Sequence, residues 1–326
     1  MTIATESCGA LESAGLVPLA SATGTLPHNY SGVLANFTDL PTDSSTVDCT
    51  ITIRDGPVGK VRTCVSLDQS PFRLALNGVT VTCQAAEIGD TGVVNGIEYT
   101  KRDRDGLIAL VGDADTEAEL ATSCTTGVED MSELFGYVED VRDFNVGTFN
   151  LFTIRSNVAN PAEFNPDLST WDMSSVMDMS SMMAGATAFE GDVSAWDTSK
   201  VVNMSFALAG NDVFNSRLDA WNTSSAVDMR GMLFEALAFN QNLDGLVTSR
   251  ATNTSYLLFG AQGFNNGEAS GSSTAPLLWD TSGSGSMKFT FSGAASFNQP
   301  VDGFDMSRVT DSAAMCVHVL SLILPS

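Results

Sequence analysis

Basic residues and histidines are scarce in this chain. Lys and Arg total 15 against 39 Asp and Glu, and with 2 histidines the formal net charge is −24. Nucleic acids and anionic membranes are negatively charged themselves and would repel such a chain, so the charge argues against both as partners. An acidic excess is instead typical of a solvated surface, of saline or calcium-rich surroundings, or of a protein with cationic partners.

Long apolar runs and a basic leader are also missing. No stretch approaches 18 uninterrupted apolar residues, so we expect no transmembrane segment. Met1–Glu6 has neither a basic group nor a sustained apolar run, so no signal peptide is visible. The apolar tail 317–326 is too short to span a membrane. We interpret it as a capping strand or a truncated gene end, with a lipid-anchor remnant as the alternative.

The cysteine pattern lacks a Cys-x-x-Cys pair, and with only two histidines we expect no zinc site. Disulfides in the N-terminal part would suit an oxidising compartment, and the connectivity stays open among 15 possibilities. Five Asn-x-Ser/Thr sequons are compatible with secretion. The cysteines are Cys8, Cys49, Cys64, Cys83, Cys124 and Cys316, and the sequons begin at Asn29, Asn36, Asn203, Asn222 and Asn253.

Catalytic constellations are missing as well. No acidic pair departs from the repeat pattern described below, no Ser/His or Cys/His arrangement is available, and no Gly-rich phosphate loop occurs. We therefore predict no catalytic residues and a protein that is not an enzyme. A glycosidase with paired carboxylates is the enzymatic alternative.

What the chain does contain is a repeat with a period of 25 residues between Phe164 and Met306. Phe164-Asn-Pro-Asp-Leu-Ser-Thr-Trp171-Asp returns as Phe189…Trp196-Asp and again as Phe214…Trp221-Asn. A fixed period of this size predicts a stack of like structural units. One unit cannot bury enough apolar surface to offset the entropy of ordering its own chain, so each requires its neighbours.

Aligned repeats give apolar columns that we predict to form the core. The fifth repeat carries a Gly/Ser-rich insertion around Glu268–Pro276, and Leu246 and Phe304 replace tryptophan in two repeats. A methionine column begins at Met179. The two aromatic columns are Phe164, Phe189, Phe214, Phe239, Phe264 and Phe297, and Trp171, Trp196, Trp221 and Trp279.

Polar columns run beside the aromatic ones. Asp or Asn directly after the aromatic residue, with Ser two residues later, is turn chemistry, since side-chain oxygens accept backbone N–H groups at a bend. Asn follows five of the six column phenylalanines, as Asn165, Asn215, Asn240, Asn265 and Asn298, and predicts an asparagine ladder at another bend. The alternative is calcium binding, for which Asp172 and Asp197 are the candidates; we predict no other metal or cofactor. The serines are Ser174, Ser199, Ser224, Ser249, Ser282 and Ser307.

The N-terminal part has a different, β-rich pattern. Apolar and polar residues alternate over Val47–Ile53, which predicts a strand before a turn at Asp55-Gly56. Phe72–Cys83 and Val93–Thr100 predict hairpins about Asn77-Gly78 and Asn95-Gly96, pairs that suit type I′ turns. A short amphipathic helix is predicted over 105–120.

These patterns divide the chain into five segments. We predict a loose lead-in over 1–30, a β-rich cysteine-containing cap over 31–100, a linking helix over 101–127, stacked repeats over 128–316, and the apolar tail 317–326. The repeats are expected to begin in degenerate form at Val128–Phe135 and to continue in a shortened coil, Phe144 to Phe164. An independent binding module is the alternative for the cap.

The phrase Phe-Asn-x-x-Leu-Ser-x-Trp-Asp-x-Ser-x-Val-x-x-Met-Ser-x-Met-x-x-Gly-Ala-x-x-Phe, over about Val128–Met315, resembles the 26-residue repeat of bacterial surface proteins grouped with the BspA-like leucine-rich repeat surface proteins. Asn95–Gly106 resembles the segment that introduces such arrays. The resemblance implies an α/β repeat fold, a leucine-rich-repeat-like right-handed solenoid of about 25-residue coils. It also implies extracellular or cell-surface display and no catalytic residues.

We therefore expect a non-enzymatic surface or secreted protein that acts in adhesion or protein recognition through an extended face, with a protein or glycan at a cell surface as partner. The alternative is binding of a repetitive non-protein target, such as ice, mineral or polysaccharide, through the Ser, Thr and Asp columns. Met173 and Met306 interrupt the Thr column, which consists of Thr198, Thr223, Thr248 and Thr281.

Overall fold

The structure is a computed structural model. It describes residues 70–113, 115–140, 152–269 and 276–317, together with strands at 2–4, 48–54 and 60–66. The chain forms two compact units, Met1–Ser70 and Pro71–Ser326. The predicted lead-in 1–30 and tail 317–326 lie outside the described residues, apart from 2–4 and 317.

The described part of the first unit is a three-stranded antiparallel sheet. Its strands are β1 (Thr2–Ala4), β2 (Asp48–Arg54) and β3 (Lys60–Ser66), in the order β1-β2-β3. The strand predicted from the alternation over Val47–Ile53 is confirmed as β2. The turn predicted at Asp55-Gly56 falls outside the described residues.

The second unit begins with two hairpins. β4 (Arg73–Leu74) pairs with β5 (Val81–Thr82), and β6 (Thr91–Val94) pairs with β7 (Ile97–Lys101), which is parallel to β8 (Ser123–Cys124). Both predicted hairpins are confirmed. A disulfide between Cys83 and Cys124 links the end of the first hairpin to β8.

The two Asn-Gly turns differ in type. Asn95 (φ 52°) and Gly96 (φ 84°) are both left-handed, as a two-residue type I′ loop requires. At the other turn only Gly78 has positive φ, 74°, so the type I′ prediction is wrong there. The loop between β4 and β5 is longer, and Asn77 Oδ1 accepts the N–H groups of Val79 and Thr80 at 3.0 Å each.

The predicted amphipathic helix is replaced by two short pieces, α1 (Arg104–Ile108) and a 3₁₀-helix at Glu117–Thr122. Asp103 caps α1 by accepting the N–H of Gly106 at 2.9 Å. After Ile108 the backbone continues in i to i+3 turns as far as Gly112, whose left-handed φ of 87° is incompatible with a longer helix. Leu107 and Leu120 are fully buried and attach the two pieces to the core.

A third hairpin, β9 (Gly136–Asp140) with β10 (Phe152–Ser156), interrupts the start of the repeats. Asp130 forms a parallel bridge directly with Asp178, 48 residues later. The predicted shortened coil from Phe144 to Phe164 is therefore wrong as a stacked repeat, because β10 occupies its centre.

Beyond the hairpin, each repeat contributes one isolated parallel bridge to its neighbour. The bridges run Asp130, Asp178, Asn203, Asp228, Asn253, Ser286 and Asp311. The insertion in the fifth repeat, partly outside the described residues, leaves this series intact. The repeats are thus stacked, with 25 or 33 residues between successive bridges from Asp178 onward.

The α/β fold class, with its leucine-rich-repeat-like right-handed solenoid, is wrong for this chain. The described residues form small, mostly antiparallel sheets with the two short helical pieces, and none between 157 and 317 lies in a helix or a multi-residue strand. The physical reason is dense turn chemistry. Left-handed residues at Ser181 and Gly185, with i to i+3 bonds between them, turn the backbone before a helix or strand can lengthen.

The core consists of the two aromatic columns with the methionine column beside them. All six phenylalanines of the predicted Phe column are buried, and rings from Phe189 to Phe297 stack at centroid distances of 5.8–6.1 Å. Each tryptophan indole N–H donates to a backbone carbonyl of the preceding layer; the Trp196–Leu168 and Trp221–Val193 distances are 3.0 Å. Tryptophan therefore fixes the stacking register as well as filling space.

Candidate functional site

The Asp and Ser columns form turns on the outside of the core. Asp197 Oδ1 accepts the N–H of Ser199 at 3.0 Å, and Asn222, Asp280 and Asp305 make the same bond to the serine two residues on. Hydrogen bonds from Ser282 and Ser307 hold the pKa of Asp280 and Asp305 below the usual range. Ser249 follows Val247, which has no side-chain acceptor. These columns shape bends, as the sequence pattern indicates.

The two calcium candidates lie in different surroundings. Asp172 is buried, and its carboxylate accepts Thr126 Oγ1 at 2.6 Å and the N–H of Ser174 at 3.1 Å. Asp197 is exposed, and the described hydrogen bond of its side chain is to the N–H of Ser199 in its own turn. Within the described ranges, no group of three or more His, Cys, Asp or Glu is placed to hold a metal ion.

The Thr column is turned inward. Thr198, Thr223, Thr248 and Thr281 are at most 2% exposed. Each hydroxyl donates to a backbone carbonyl of the following repeat at 2.8–3.2 Å. These hydroxyls are therefore committed to holding adjacent repeats together and offer no threonine surface to a ligand.

The asparagine ladder connects repeats at a second bend. Asn240 Oδ1 accepts the N–H of Asn265 at 2.7 Å and of Gly267 at 3.0 Å, and Asn265 Oδ1 accepts the N–H of Asn298 at 3.0 Å. The ladder predicted from the sequence is confirmed. It leaves little polar capacity on this bend for a ligand.

An exposed apolar strip runs along the stack beside the bridges. Met177 is 47% exposed and Val202 44%, and the strip continues through half-buried Val227 to exposed Thr252. Backbone bonds join its members, with the N–H groups of Val202 and Val227 donating to the preceding member at 2.8 Å. We call Met177, Val202, Val227 and Thr252 the outer strip; its members recur about 4.8 Å apart, the spacing of paired strands.

A polar column that sequence reasoning missed lies next to the outer strip. Asp178, Asn203, Asp228 and Asn253, the bridge column, each accept the N–H two residues on, at 2.8–3.1 Å. Asn203 Nδ2 also donates to Asp178 Oδ2 at 3.1 Å. The signal was present in the sequence, since Asp or Asn directly precedes the methionine position in these repeats.

Sequence reasoning also missed a second aromatic cluster, outside the main core. Phe206, Phe234 and Tyr256 pack with Phe152 of β10, whose ring centroid lies 5.1, 5.6 and 5.1 Å from theirs. Arg230 lies over three of these rings, 4.9 Å from the centroid of Phe152. The available signal was aromatic residues two positions after the methionine column, at Phe206 and Tyr256, and five positions after it, at Phe234.

Several of these aromatic residues occupy an unfavourable backbone conformation. Phe206, Tyr256 and Phe289 have φ of 55°, 59° and 55°. The left-handed region costs a bulky L-residue about 1–2 kcal/mol. The equivalent position is Gly231 in the repeat between Phe206 and Tyr256, where a Cβ would lie 2.3 Å from the Phe206 ring. Packing of the rings must offset this strain.

A shallow open cavity of about 420 Å³ lies elsewhere, between the turns after Phe189 and Phe214. Asp192 within it accepts the N–H of Ser194 and the hydroxyl of Ser216, and these bonds lower its pKa. An enzyme pocket normally has enclosing apolar walls. The cavity is lined by Glu190, Asp192, Ser194, Val213, Asn215, Ser216 and Arg217.

Comparison with known proteins gives one match. A family model described as "Mycoplasma protein of unknown function, DUF285" matches residues 152–270 and 275–322, which together are half of the chain and include β10 and the stacked repeats. No curated protein and no solved structure shows significant similarity to the chain. In the part of the chain that the structure describes, every helix is too short or too polar to cross a membrane.

Proposed function

The chain belongs to the DUF285 family of Mycoplasma proteins of unknown function, and from that premise we propose that it acts in adhesion or protein recognition through the outer strip and bridge column. The partner is a protein or glycan at a cell surface. The protein itself is non-enzymatic and is secreted or displayed on the cell exterior.

The observation that carries the proposal is the outer strip. Neighbouring exposed apolar side chains that are bordered by polar groups are candidate interaction sites on a soluble protein. Here exposed Met177 and Val202 stand beside the carboxylate and amide groups of Asp178 and Asn203. Apolar contacts flanked by polar groups are the usual composition of a protein interface.

The cell-exterior location is supported by three features. The repeat phrase resembles that of BspA-like surface proteins, and the Cys83–Cys124 disulfide suits an oxidising compartment. The exposed Asn222 lies in a sequon, Asn222-Thr-Ser224, which is compatible with an exported chain.

The alternative, a repetitive non-protein target, is less well supported. A lattice-matching surface needs a regular outward row of hydroxyl groups, and the Thr column is buried with its hydroxyls bonded to backbone carbonyls. The Asp column is interrupted by Asn222 and Val247, and its first member, Asp172, is buried. An irregular apolar and polar strip suits a protein partner better than a crystal surface or a polymer.

The test uses the purified full chain on arrays of extracellular proteins and glycans. For partners bound by the wild type, Val202→Asp should weaken binding at least about tenfold, because it places a charge in an apolar contact. Val213→Asp is the matched control, since Val213 is 40% exposed, close to the 44% of Val202, and lies in the cavity region. Equal loss in both variants, or an array without a single bound partner, would contradict the proposal.

A further inference from the structure

The aromatic cluster forms a groove that is filled by part of the same chain. β10 lies in it as an extended strand, with Phe152 among the rings of Phe206, Phe234 and Tyr256. Two residues on, Ile154 reaches Gly210, where a Cβ would lie 2.6 Å from its Cδ1. A side chain at Gly210 would displace the tip of Ile154, so the two residues fit closely, and the groove fits an extended chain.

Beyond its base, the β9–β10 hairpin is attached to the repeats by side chains and not by backbone hydrogen bonds among the described residues. In the described part of the chain, the backbones of β9 and β10 bond to each other, and bonds to the neighbouring layer occur at the base, where the N–H of Phe135 donates to the carbonyl of Met182 at 2.8 Å. Further out, the contact consists of the half-buried side chains of Val138, Phe152 and Ile154. Segments with few buried contacts open locally without global unfolding.

The groove has features beyond those that β10 uses. Phe259 stacks on Phe234 at 5.0 Å and Phe289 on Tyr256 at 5.2 Å, which continues the row of rings. Lys288 lies 5.6 Å from the ring centroid of Phe289, and Arg230 lies 5.8 Å from that of Tyr256, in a chain with a net charge of −24.

We propose that the β9–β10 hairpin is a detachable cover, and that the uncovered groove binds an extended polypeptide segment with an aromatic residue followed two residues later by an aliphatic one. The occupant seen in the structure defines this pattern, because residues two apart in a strand face the same side. Arg155 lies on the opposite side of the strand from Phe152 and Ile154. It is exposed and pairs with Glu139 within the hairpin. This second recognition surface is separate from the outer strip, so either can fail without the other.

The test measures binding of a fluorescent synthetic peptide with the sequence of residues 152–157 to the full chain by fluorescence anisotropy. Phe152→Asp should release the cover and increase peptide affinity at least about tenfold over the wild type. Arg155→Ala, on the exposed side of the same strand, should leave affinity at the wild-type level. A peptide with serine at the positions of Phe152 and Ile154 should not bind. If folded Phe152→Asp protein binds the peptide no better than the wild type, the proposal is wrong.

Hydrogen exchange of the wild type provides a measurement that needs no variant. Amides paired between β9 and β10 should exchange at least about a hundredfold faster than the inter-repeat amides of Met204 and Leu208, because the cover opens while the stack stays folded. Equal protection of the two sets would show that the hairpin opens only with global unfolding, and would overturn the proposal.

Discussion

At the scale of the residue, Glu235 is the clearest departure from the repeat pattern. The equivalent residues are Gly185, Gly210, Gly260 and Gly293, all with positive φ between 66° and 76°. Glu235 has φ 53° and therefore carries the left-handed cost that glycine avoids. Desolvation raises the pKa of its carboxyl, and the charge of Asp212 raises it further.

We predict that Glu235→Gly stabilises the protein. Relief of the left-handed conformation is worth about 1 kcal/mol, reduced somewhat by the greater freedom of glycine in the unfolded chain. Urea unfolding at neutral pH measures the change. Ala220→Gly, at an exposed position of the same repeat, is the control and should not stabilise. A destabilised Glu235→Gly variant would contradict this account.

The sign of the pH dependence follows from the raised pKa of Glu235. Below its ordinary value of 4.5, both folded and unfolded chains hold the proton. As the pH rises, Glu235 ionises first in the unfolded chain. The folded state therefore becomes less stable relative to the unfolded state until the pH passes the pKa of Glu235 in the folded protein. Glu235→Gln, which cannot ionise, should therefore gain more over the wild type at pH 7 than at about pH 4.

At the scale of the element, each repeat is a series of turns held by side chains. Asx turns, the threonine bonds and the asparagine ladder take the place of helical and strand hydrogen bonding. The turns at short-range patterns such as Asp-x-Ser could therefore be predicted from the sequence, and so could the apolar columns of the core. The absence of a helix could not, because apolar spacing alone does not reveal that residues at Ser181 and Phe206 turn left-handed.

The asparagine ladder provides a test of this view. Asn240→Ala should cost about 2 kcal/mol, since it leaves the N–H of fully buried Asn265 and that of Gly267 without their acceptor. Asn165→Ala removes a single acceptor, for the N–H of exposed Glu190, and should cost less than about 1 kcal/mol. Chemical denaturation compares the two variants; equal costs would show that burial of the N–H is not what matters.

At the scale of the whole molecule, electrostatic repulsion is the main consequence of composition. The net charge is −24, and the ion pairs in the described residues, such as Arg217–Asp219 and Arg155–Glu139, are exposed and few. Exposed pairs contribute little to stability. Like charges across the stack should therefore oppose the compact state.

We expect the thermal midpoint to rise with salt. Between about 20 mM and about 500 mM NaCl the Debye length falls well below the distances across the stack, which screens the repulsion. Relief of about 1 kcal/mol would raise the midpoint by about 2–4 °C in a domain of this size. Differential scanning calorimetry measures the shift, with sucrose at equal osmolality as the uncharged control. A midpoint that falls or stays constant would argue against repulsion as a destabilising force.

The sequence by itself determined the period, the core columns, the turn residues and the two Asn-Gly hairpins, because each depends on residue types at short or fixed spacings. Only the tertiary structure decided which columns face outward. It buried the Thr column, exposed Met177 and Val202, and placed Phe152 of β10 on rings from three successive repeats. Those outcomes depend on which backbone groups and rings meet across repeats, and a contact between residues 50 or 100 positions apart leaves no periodic trace in one sequence.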